Sequence, residues 1–262
     1  MIFSHLAMYC QKGEAVWLLL LILENVFMTT KSIFKITIWF ALSSLILSNS
    51  ASATPQYASV AARYSTTSCT IPCEKSQASD WYFWRDENRV EIRNATQDVG
   101  EIWRRDGKKR LSFVYVEPAH KRGIEYNDTD LRMINHKRSW DRLASVVSSA
   151  EIEKLSLVGE TEILGHKAQR YIGKIDKRTV EVVWIPDLQL TAKVVNIYPD
   201  RQVTTEIKSF LTKQDNALAT SEDQLSDYAL VDFADLGDME TKESMAWLKK
   251  STMAPGHDVH EH

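Results

Sequence analysis

The sequence predicts a mainly β protein built around an antiparallel sheet. From Asp80 onward, short segments alternate apolar and polar side chains, which is the pattern of half-buried strands. Turn residues such as Asp106-Gly107 and Pro186-Asp187 separate these segments. Helical patterns are missing between most of them, which favours a meander over a parallel α/β sheet.

Five strands are predicted in the first half of the sheet. Trp81 and Phe83 share a face of the first strand, and Val90 and Ile92 share a face of the second. The predicted strands are a segment that begins at Asp80 and residues 89–93, 99–104, 110–116 and 121–126. Each turn between them is short, so consecutive strands should be neighbours in the sheet.

One amphipathic helix is predicted after these strands, over residues 138–149. Its apolar stripe consists of Trp140, Leu143, Ala144 and Val147. These residues recur at intervals of three and four, as one face of a helix requires. Ser139 is the expected N-cap.

The second half of the sheet contains five more predicted strands and a polar connector. The strands are residues 155–164, 167–175, 178–185, 188–198 and 201–210. The connector covers residues 212–227, and residues 228–233 add a further strand. Asp238 is placed to cap a short helix that runs to about Lys250.

The first 53 residues differ from the rest of the chain. Residues 28–53 have a positive start, an apolar run and a small-residue end, which is the organisation of a secretory signal peptide. Cleavage is expected after Ala53, which leaves a mature protein in the periplasm. Because signal peptides begin at the true N-terminus, residues 1–27 are interpreted as an over-extended gene start. An uncleaved N-terminal anchor is the alternative for residues 28–53.

This interpretation predicts the N-terminus of the exported protein. Peptide mass spectrometry of the mature form should find Thr54 as its first residue and no peptide from residues 1–27. A peptide from residues 1–27 in the exported protein would refute the proposed start.

The mature chain divides into three predicted parts. Residues 54–79 form a polar N-terminal segment, expected to be a tether, which carries Cys69 and Cys73. Residues 80–250 form a single β-rich domain, and residues 251–262 form a flexible, His-rich tail. The two cysteines should form a disulfide in an oxidising compartment, while metal binding and free thiols remain alternatives.

Composition and motifs exclude several classes of function. The net charge of −3 argues against a binder of nucleic acid, and 26% charged residues argue against a polytopic membrane protein. The mature form should be soluble or peripherally attached to a membrane. The sequence contains none of the common catalytic signatures, so an enzyme is not expected. No cofactor is expected either.

Aromatic side chains are the main candidates for a binding site. A folded core accounts for most of them, but a sheet with bulky apolar residues can also enclose a groove for acyl chains. The candidate groove residues are Trp81, Phe83, Phe113, Tyr115, Trp140 and Trp184. A basic region over residues 104–122 provides either solubilising charge or a rim that attracts an anionic headgroup or an acidic partner.

The histidines of the tail indicate a second candidate function. His257, His260 and His262 lie in the tail, and imidazole is a ligand for copper or zinc. Together with the cysteine pair they define the alternative, a periplasmic metal-handling protein.

Three segments resemble the outer-membrane lipoprotein carrier superfamily, which includes the LolA and LolB carriers and the sensor domain of RseB. They begin at Gly159, Val180 and Asp200, and the second contains the turn sequence Trp-Ile-Pro-Asp-Leu-Gln-Leu. The resemblance covers residues 80–210. It implies a curved antiparallel half-barrel with short covering helices. It also implies a ligand that is a lipid or a lipoprotein. The function predicted from the whole sequence is that of a periplasmic binding protein, which holds a lipid, a lipoprotein or an envelope protein in an apolar groove.

Overall fold

Twelve strands form one curved, unclosed sheet within residues 57–236, which together with residue 247 are the residues that the computed structural model describes. The strands are β1 (Val60–Thr70), β2 (Ser76–Arg85), β3 (Arg89–Asn94), β4 (Gly100–Arg105), β5 (Leu111–Glu117), β6 (Arg122–Tyr126), β7 (Ser156–Ile163), β8 (His166–Ile175), β9 (Arg178–Ile185), β10 (Leu190–Ile197), β11 (Arg201–Phe210) and β12 (Ala229–Asp232). This architecture confirms the fold class that the sequence predicts, a mainly β protein with an open half-barrel.

The sheet consists of two meanders joined by a central strand. Its order is β12-β6-β5-β4-β3-β2-β1-β11-β10-β9-β8-β7. Strands β2 to β6 therefore lie on one side of β1 in chain order, and β11 to β7 lie on the other side. All pairs are antiparallel except β12, which adds to β6 in parallel. Because β1 pairs with both β2 and β11, it connects the two halves.

The structure corrects the tether expected over residues 54–79. Most of this segment forms β1 and the start of β2, so the β-rich domain includes it. Its small polar side chains form hydrogen bonds to neighbouring strands: Thr66 Oγ1 lies 2.9 Å from Thr205 Oγ1 and accepts from Trp81 Nε1 at 3.0 Å. Serine and threonine fit a sheet when cross-strand groups satisfy their hydroxyls, and no apolar alternation then marks that part of the strand.

Five short helices accompany the sheet in the described residues. They are α1 (Asp128–Met133), α2 (Trp140–Ser145), α3 (Ser149–Ile152), α4 (Lys213–Asn216) and α5 (Glu222–Ser226). Of the helix predicted over residues 138–149, residues 140–145 form α2, and α3 begins only at Ser149. Ser139 caps α2 as expected, because its side chain accepts from the Arg142 amide at 3.2 Å. Val146 ends α2 with a φ of 73°, a conformation that is rare for a β-branched residue.

Stacked aromatic rings are a prominent part of the largest hydrophobic cluster. Trp103 stacks on Phe113 with ring centroids 4.4 Å apart, and Phe113 lies 5.1 Å from Tyr126. Tyr64 stacks on Trp81 at 4.5 Å in the same hydrophobic cluster. Such pairs add to the free energy of burial, so these rings are a major source of stability.

The guanidinium of Arg85 is buried and holds three parts of the fold together. The residue is 1% exposed. It donates hydrogen bonds of 2.6 to 3.0 Å to the main-chain carbonyls of Ala58, Ala144, Leu188 and Gln189. Burial lowers the pKa of Arg85 to about 10, so the side chain stays charged at neutral pH. The carbonyl dipoles compensate for the lost hydration of this cation.

A second buried charge fixes the polar connector to the sheet. The Glu91 side chain is fully buried and accepts from Arg89 Nη2 at 2.8 Å and from Arg93 Nη2 at 2.7 Å. It also accepts from the Thr220 amide at 2.9 Å. Leu225 of α5 then packs against apolar residues of β4 and β5. The segment expected to be a connector is therefore part of the packed structure.

Several sequence expectations concern residues outside the described part. The signal peptide, most of the helix expected after Asp238 and the His-rich tail belong to this group. Within the described residues, no helix combines the length and the apolar character needed to cross a membrane.

Arg85→Lys should destabilise the protein. The shorter, non-planar ammonium group cannot donate to all four carbonyls, and each lost bond leaves a buried acceptor unsatisfied. We expect the free energy of unfolding to fall by about 2–4 kcal/mol, measured by urea denaturation. The matched control is Arg170→Lys, since Arg170 is 49% exposed and pairs with Glu181. Equal stability of the two variants would contradict the role assigned to Arg85.

Candidate functional site

Strand β7 lies at one end of the sheet and has a neighbouring strand on one side only. It pairs with β8, from Ser156 opposite Ile172 to Ile163 opposite His166. All of its residues except Ile163 are exposed to solvent. Within residues 57–236, the outward-facing amides and carbonyls of β7 have no strand partner. A free edge of this kind can accept an additional strand.

Exposed apolar side chains accompany this edge. Leu157 is 54% exposed and Val158 is 52% exposed, both within β7. Leu164, directly after the strand, is 49% exposed. Apolar groups that gather at one exposed edge are typical of interaction surfaces, whereas isolated exposed residues are not.

The edge lacks two of the usual blocks against pairing with another chain. Natural edge strands are often blocked by lysine, proline or a bulge. Strand β7 contains neither lysine nor proline, and it has one register shift, between Leu157 and Gly159. The opposite edge strand, β12, has only four residues. Phe233 follows β12 and stacks on Tyr126 at 4.7 Å, which ties that end of the sheet to the core.

The charge of the β7 edge is negative. Glu160 and Glu162 are exposed and lie opposite Gln169 and Lys167 of β8. Neither glutamate forms an ion pair within the described residues. An extended segment with basic side chains would therefore meet favourable charges here, in addition to main-chain hydrogen bonds.

The six predicted groove residues are placed in or against the core. Trp81, Phe83, Phe113, Tyr115 and Trp140 are each less than 10% exposed, and all five belong to the largest hydrophobic cluster. Trp184 is half-buried and packs against a second cluster. The structure thus brings five of the six together, but as packed core side chains.

The contacts of these residues leave little freedom for a ligand. Tyr115 donates to Glu117 Oε1 at 3.1 Å, and burial raises the pKa of its hydroxyl. Arg105 lies over the Trp140 ring, 4.8 Å from its centroid. Four cavities in the described residues are lined by other side chains and by none of these six. Their role in ligand binding stays a prediction.

The cysteine pair forms a disulfide. Cys69 and Cys73 are bonded to each other, with their Cα atoms 5.2 Å apart. The expected disulfide is therefore confirmed, and the bonded sulfurs are not available as thiolate ligands for a metal. His257, His260 and His262 lie outside the described residues. Within the described residues, no group of three or more candidate ligands is placed to hold a metal.

A basic cavity lies between the β4–β5 turn and α1. Its volume is about 590 Å³. Four arginines line it, and we call it the arginine cleft: Arg104, Arg105, Arg110 and Arg132. Three of them belong to the basic region that the sequence singled out. Arg132 was missed because it lies beyond that region, on a helix that the sequence did not predict.

Comparisons with known proteins give only distant likenesses. The sequence matches no family model and no curated protein. The structure of PNGF-II matches 70% of this chain and 32% of its own, with 11% identity and a TM-score of 0.38. The complex of Pseudomonas aeruginosa MucA/MucB matches 65% of this chain and 58% of its own, with 16% identity and a TM-score of 0.31.

A third likeness concerns the kind of protein that the sequence resembles. A putative outer membrane lipoprotein-sorting protein domain from Vibrio parahaemolyticus matches 61% of this chain and 91% of its own, with 9% identity and a TM-score of 0.27. The chain spans about a third of PNGF-II and a little over half of the MucA/MucB match. All three TM-scores are below 0.5, so these likenesses carry no conclusion about function.

Phe113→Ala distinguishes a core residue from a groove residue. Because Phe113 is 1% exposed and contacts two aromatic rings, its truncation should lower the free energy of unfolding by about 3–5 kcal/mol. Urea denaturation measures this change, with Leu157→Ala as the exposed control. If Phe113→Ala lowers the free energy of unfolding no more than Leu157→Ala does, the ring lines open space and is not a core residue.

Proposed function

We propose that this is an exported binding protein of the bacterial periplasm, and that it holds an extended segment of an envelope protein along β7. The free edge of β7 carries this proposal. The segment would add to the sheet as a thirteenth strand, next to the described twelve. No catalytic step is part of the proposed function.

Main-chain pairing supplies much of the proposed affinity. An incoming strand would satisfy the outward-facing amides and carbonyls of β7, as in other cases of strand addition. It would also cover part of Leu157 and Val158, which are about half exposed in the free protein. Burial of these side chains is favourable because apolar surface leaves water.

The charges of β7 restrict which segments can bind to it. Glu160 and Glu162 favour a segment that carries lysine or arginine at alternate positions. They disfavour pairing with β7 of a second copy, since that arrangement brings glutamates of two edges together. We therefore favour a different protein over self-association.

Two independent features support the proposed location. Residues 28–53 have the organisation of a signal peptide. The Cys69–Cys73 disulfide suits an oxidising compartment such as the periplasm. Both support an exported protein, and an envelope partner would be present in the same compartment. A lipoprotein is one class of such a partner.

Site-specific photocrosslinking in the living source bacterium tests the proposal. A photoreactive phenylalanine analogue replaces Thr161, which is exposed in the middle of β7. The full chain is irradiated in cells, and the product is digested and sequenced. We expect crosslinks to one extended, lysine- or arginine-containing segment of an envelope protein. Leu157→Asp in the same chain should reduce the crosslinked product about tenfold, because it removes buried apolar contact.

The matched control is Met133→Asp. Met133 is 64% exposed on α1, so this change adds the same charge to an exposed apolar position elsewhere. It should leave the crosslink unchanged. Absence of a crosslink at Thr161, or equal crosslinking in the Leu157→Asp and Met133→Asp proteins, would contradict the proposed function.

A further inference from the structure

The arginine cleft is distinct from β7 and has a different chemical character. It has a volume of about 590 Å³ and lies between the β4–β5 turn and α1. Arg104, Arg105, Arg110 and Arg132 contribute guanidinium groups, whereas Asp106 and Asp128 contribute the carboxylates of its wall. The wall therefore carries an excess of two positive charges. A concave site with one dominant sign of charge concentrates ions of the opposite sign.

Three of the four arginines have carboxylate partners. Arg110 pairs with Asp106 at 2.7 Å and Arg132 pairs with Asp128 at 2.9 Å. Arg104 pairs with Glu222 of α5 at 2.7 Å. The pairs of Arg110 and Arg132 are exposed, with side-chain exposures of 58% for Arg110 and 69% for Arg132. Exposed pairs of this kind are weak, so their guanidinium groups can turn to another anion at small cost.

Arg105 differs from the other three. Within the described residues it has no carboxylate within ion-pair distance. Its Nε and Nη2 donate to the Asn88 side-chain oxygen, each at 3.4 Å, which is long for a hydrogen bond. The Trp140 ring holds its guanidinium at 4.8 Å from the ring centroid. Stacking on an aromatic ring orients an arginine while leaving its donors available to an anion.

Both walls of the cleft are held by local hydrogen bonds. Asp106 Oδ1 accepts from the amides of Lys108 at 2.8 Å and Arg110 at 2.9 Å, which fixes the β4–β5 turn. On the other wall, the side chain of Asn127 accepts from the Thr129 amide at 2.8 Å and caps α1. Binding therefore requires little ordering of the backbone, which favours affinity.

We propose that the arginine cleft binds a phosphoryl group carried by an organic molecule. Arginines recognise phosphoryl oxygens through paired N–H donors, and Arg105 supplies such donors without a competing carboxylate. The volume lies in the range of pockets for small organic ligands, which exceeds the space that inorganic phosphate needs. The carrier is either a soluble phosphate ester or the headgroup of a phospholipid. This site is independent of the segment proposed for β7.

Binding measurements on the full mature chain test the proposal. Isothermal titration calorimetry uses glycerol 3-phosphate as the soluble ester. Co-sedimentation uses phosphatidylcholine vesicles with and without phosphatidic acid. The variant is Arg105→Gln, for which we expect about tenfold weaker binding of whichever probe binds. Binding should also weaken as the salt concentration rises, because the attraction is between charges.

Two further variants distinguish loss of the binding site from loss of the folded structure. Arg110→Gln and Arg132→Gln change exposed side chains, so stability should be unaffected while the affinity falls. Arg170→Gln is the matched control, because Arg170 is an exposed, paired arginine on β8, outside the cleft. It should bind like the unmodified protein.

Each outcome of these measurements either supports the proposal or overturns it. Binding of glycerol 3-phosphate that the cleft variants weaken supports a soluble ester. Binding only to vesicles that contain phosphatidic acid, again weakened by the cleft variants, supports a lipid headgroup. Absence of binding to both probes overturns the proposal. Equal loss of binding in Arg170→Gln and the cleft variants also overturns it, since a non-specific effect of charge would then explain the result.

Discussion

The buried guanidinium of Arg85 is the interaction on which the rest of the structure depends. It extends from the end of β2, in the first meander, to the main-chain carbonyls of Leu188 and Gln189 in the second. It also binds the carbonyl of Ala58 before β1 and that of Ala144 in α2. A planar group with five donors is suited to join several carbonyls at one point. Since a buried cation is costly without these acceptors, Arg85 favours the state in which β2 and the three segments that supply the carbonyls are together.

Strand β1 also joins the two meanders, so one sheet carries both proposed sites. It pairs with β2 on one side and β11 on the other, so the two meanders form a continuous surface. Aromatic pairs pack in the interior, Glu91 of β3 binds Thr220 before α5, and Leu225 of α5 packs on β4 and β5. One meander ends in the free edge of β7, and the other carries the arginine cleft. The two sites are therefore chemically opposite, one acidic and extended, the other basic and concave.

The sequence predicts the fold class well, because alternation of side chains reports directly which strands have one buried face. The prediction fails at β1. Its residues Ser65, Thr66 and Thr67 do not alternate with apolar side chains, and residues distant in the chain stabilise them. It also fails at α1, whose Asn127–Asp130 cap uses residue types that occur in many turns. The aromatic groove candidates show a further limit, since a core and a groove require the same residue types. Exposure of an edge depends on sheet order, which strand patterns alone do not reveal.

Amide hydrogen exchange on β7 tests the central claim most directly. The protein is purified with its captured envelope segment and compared with the free protein, and exchange is followed by mass spectrometry. If the segment adds to the sheet, amides of residues 156–163 exchange more slowly in the complex, while amides of β12 at the other edge are unchanged. Main-chain hydrogen bonds give this protection, whereas side-chain contact alone does not. Equal exchange of β7 in the free and bound proteins would contradict strand addition as the mode of binding.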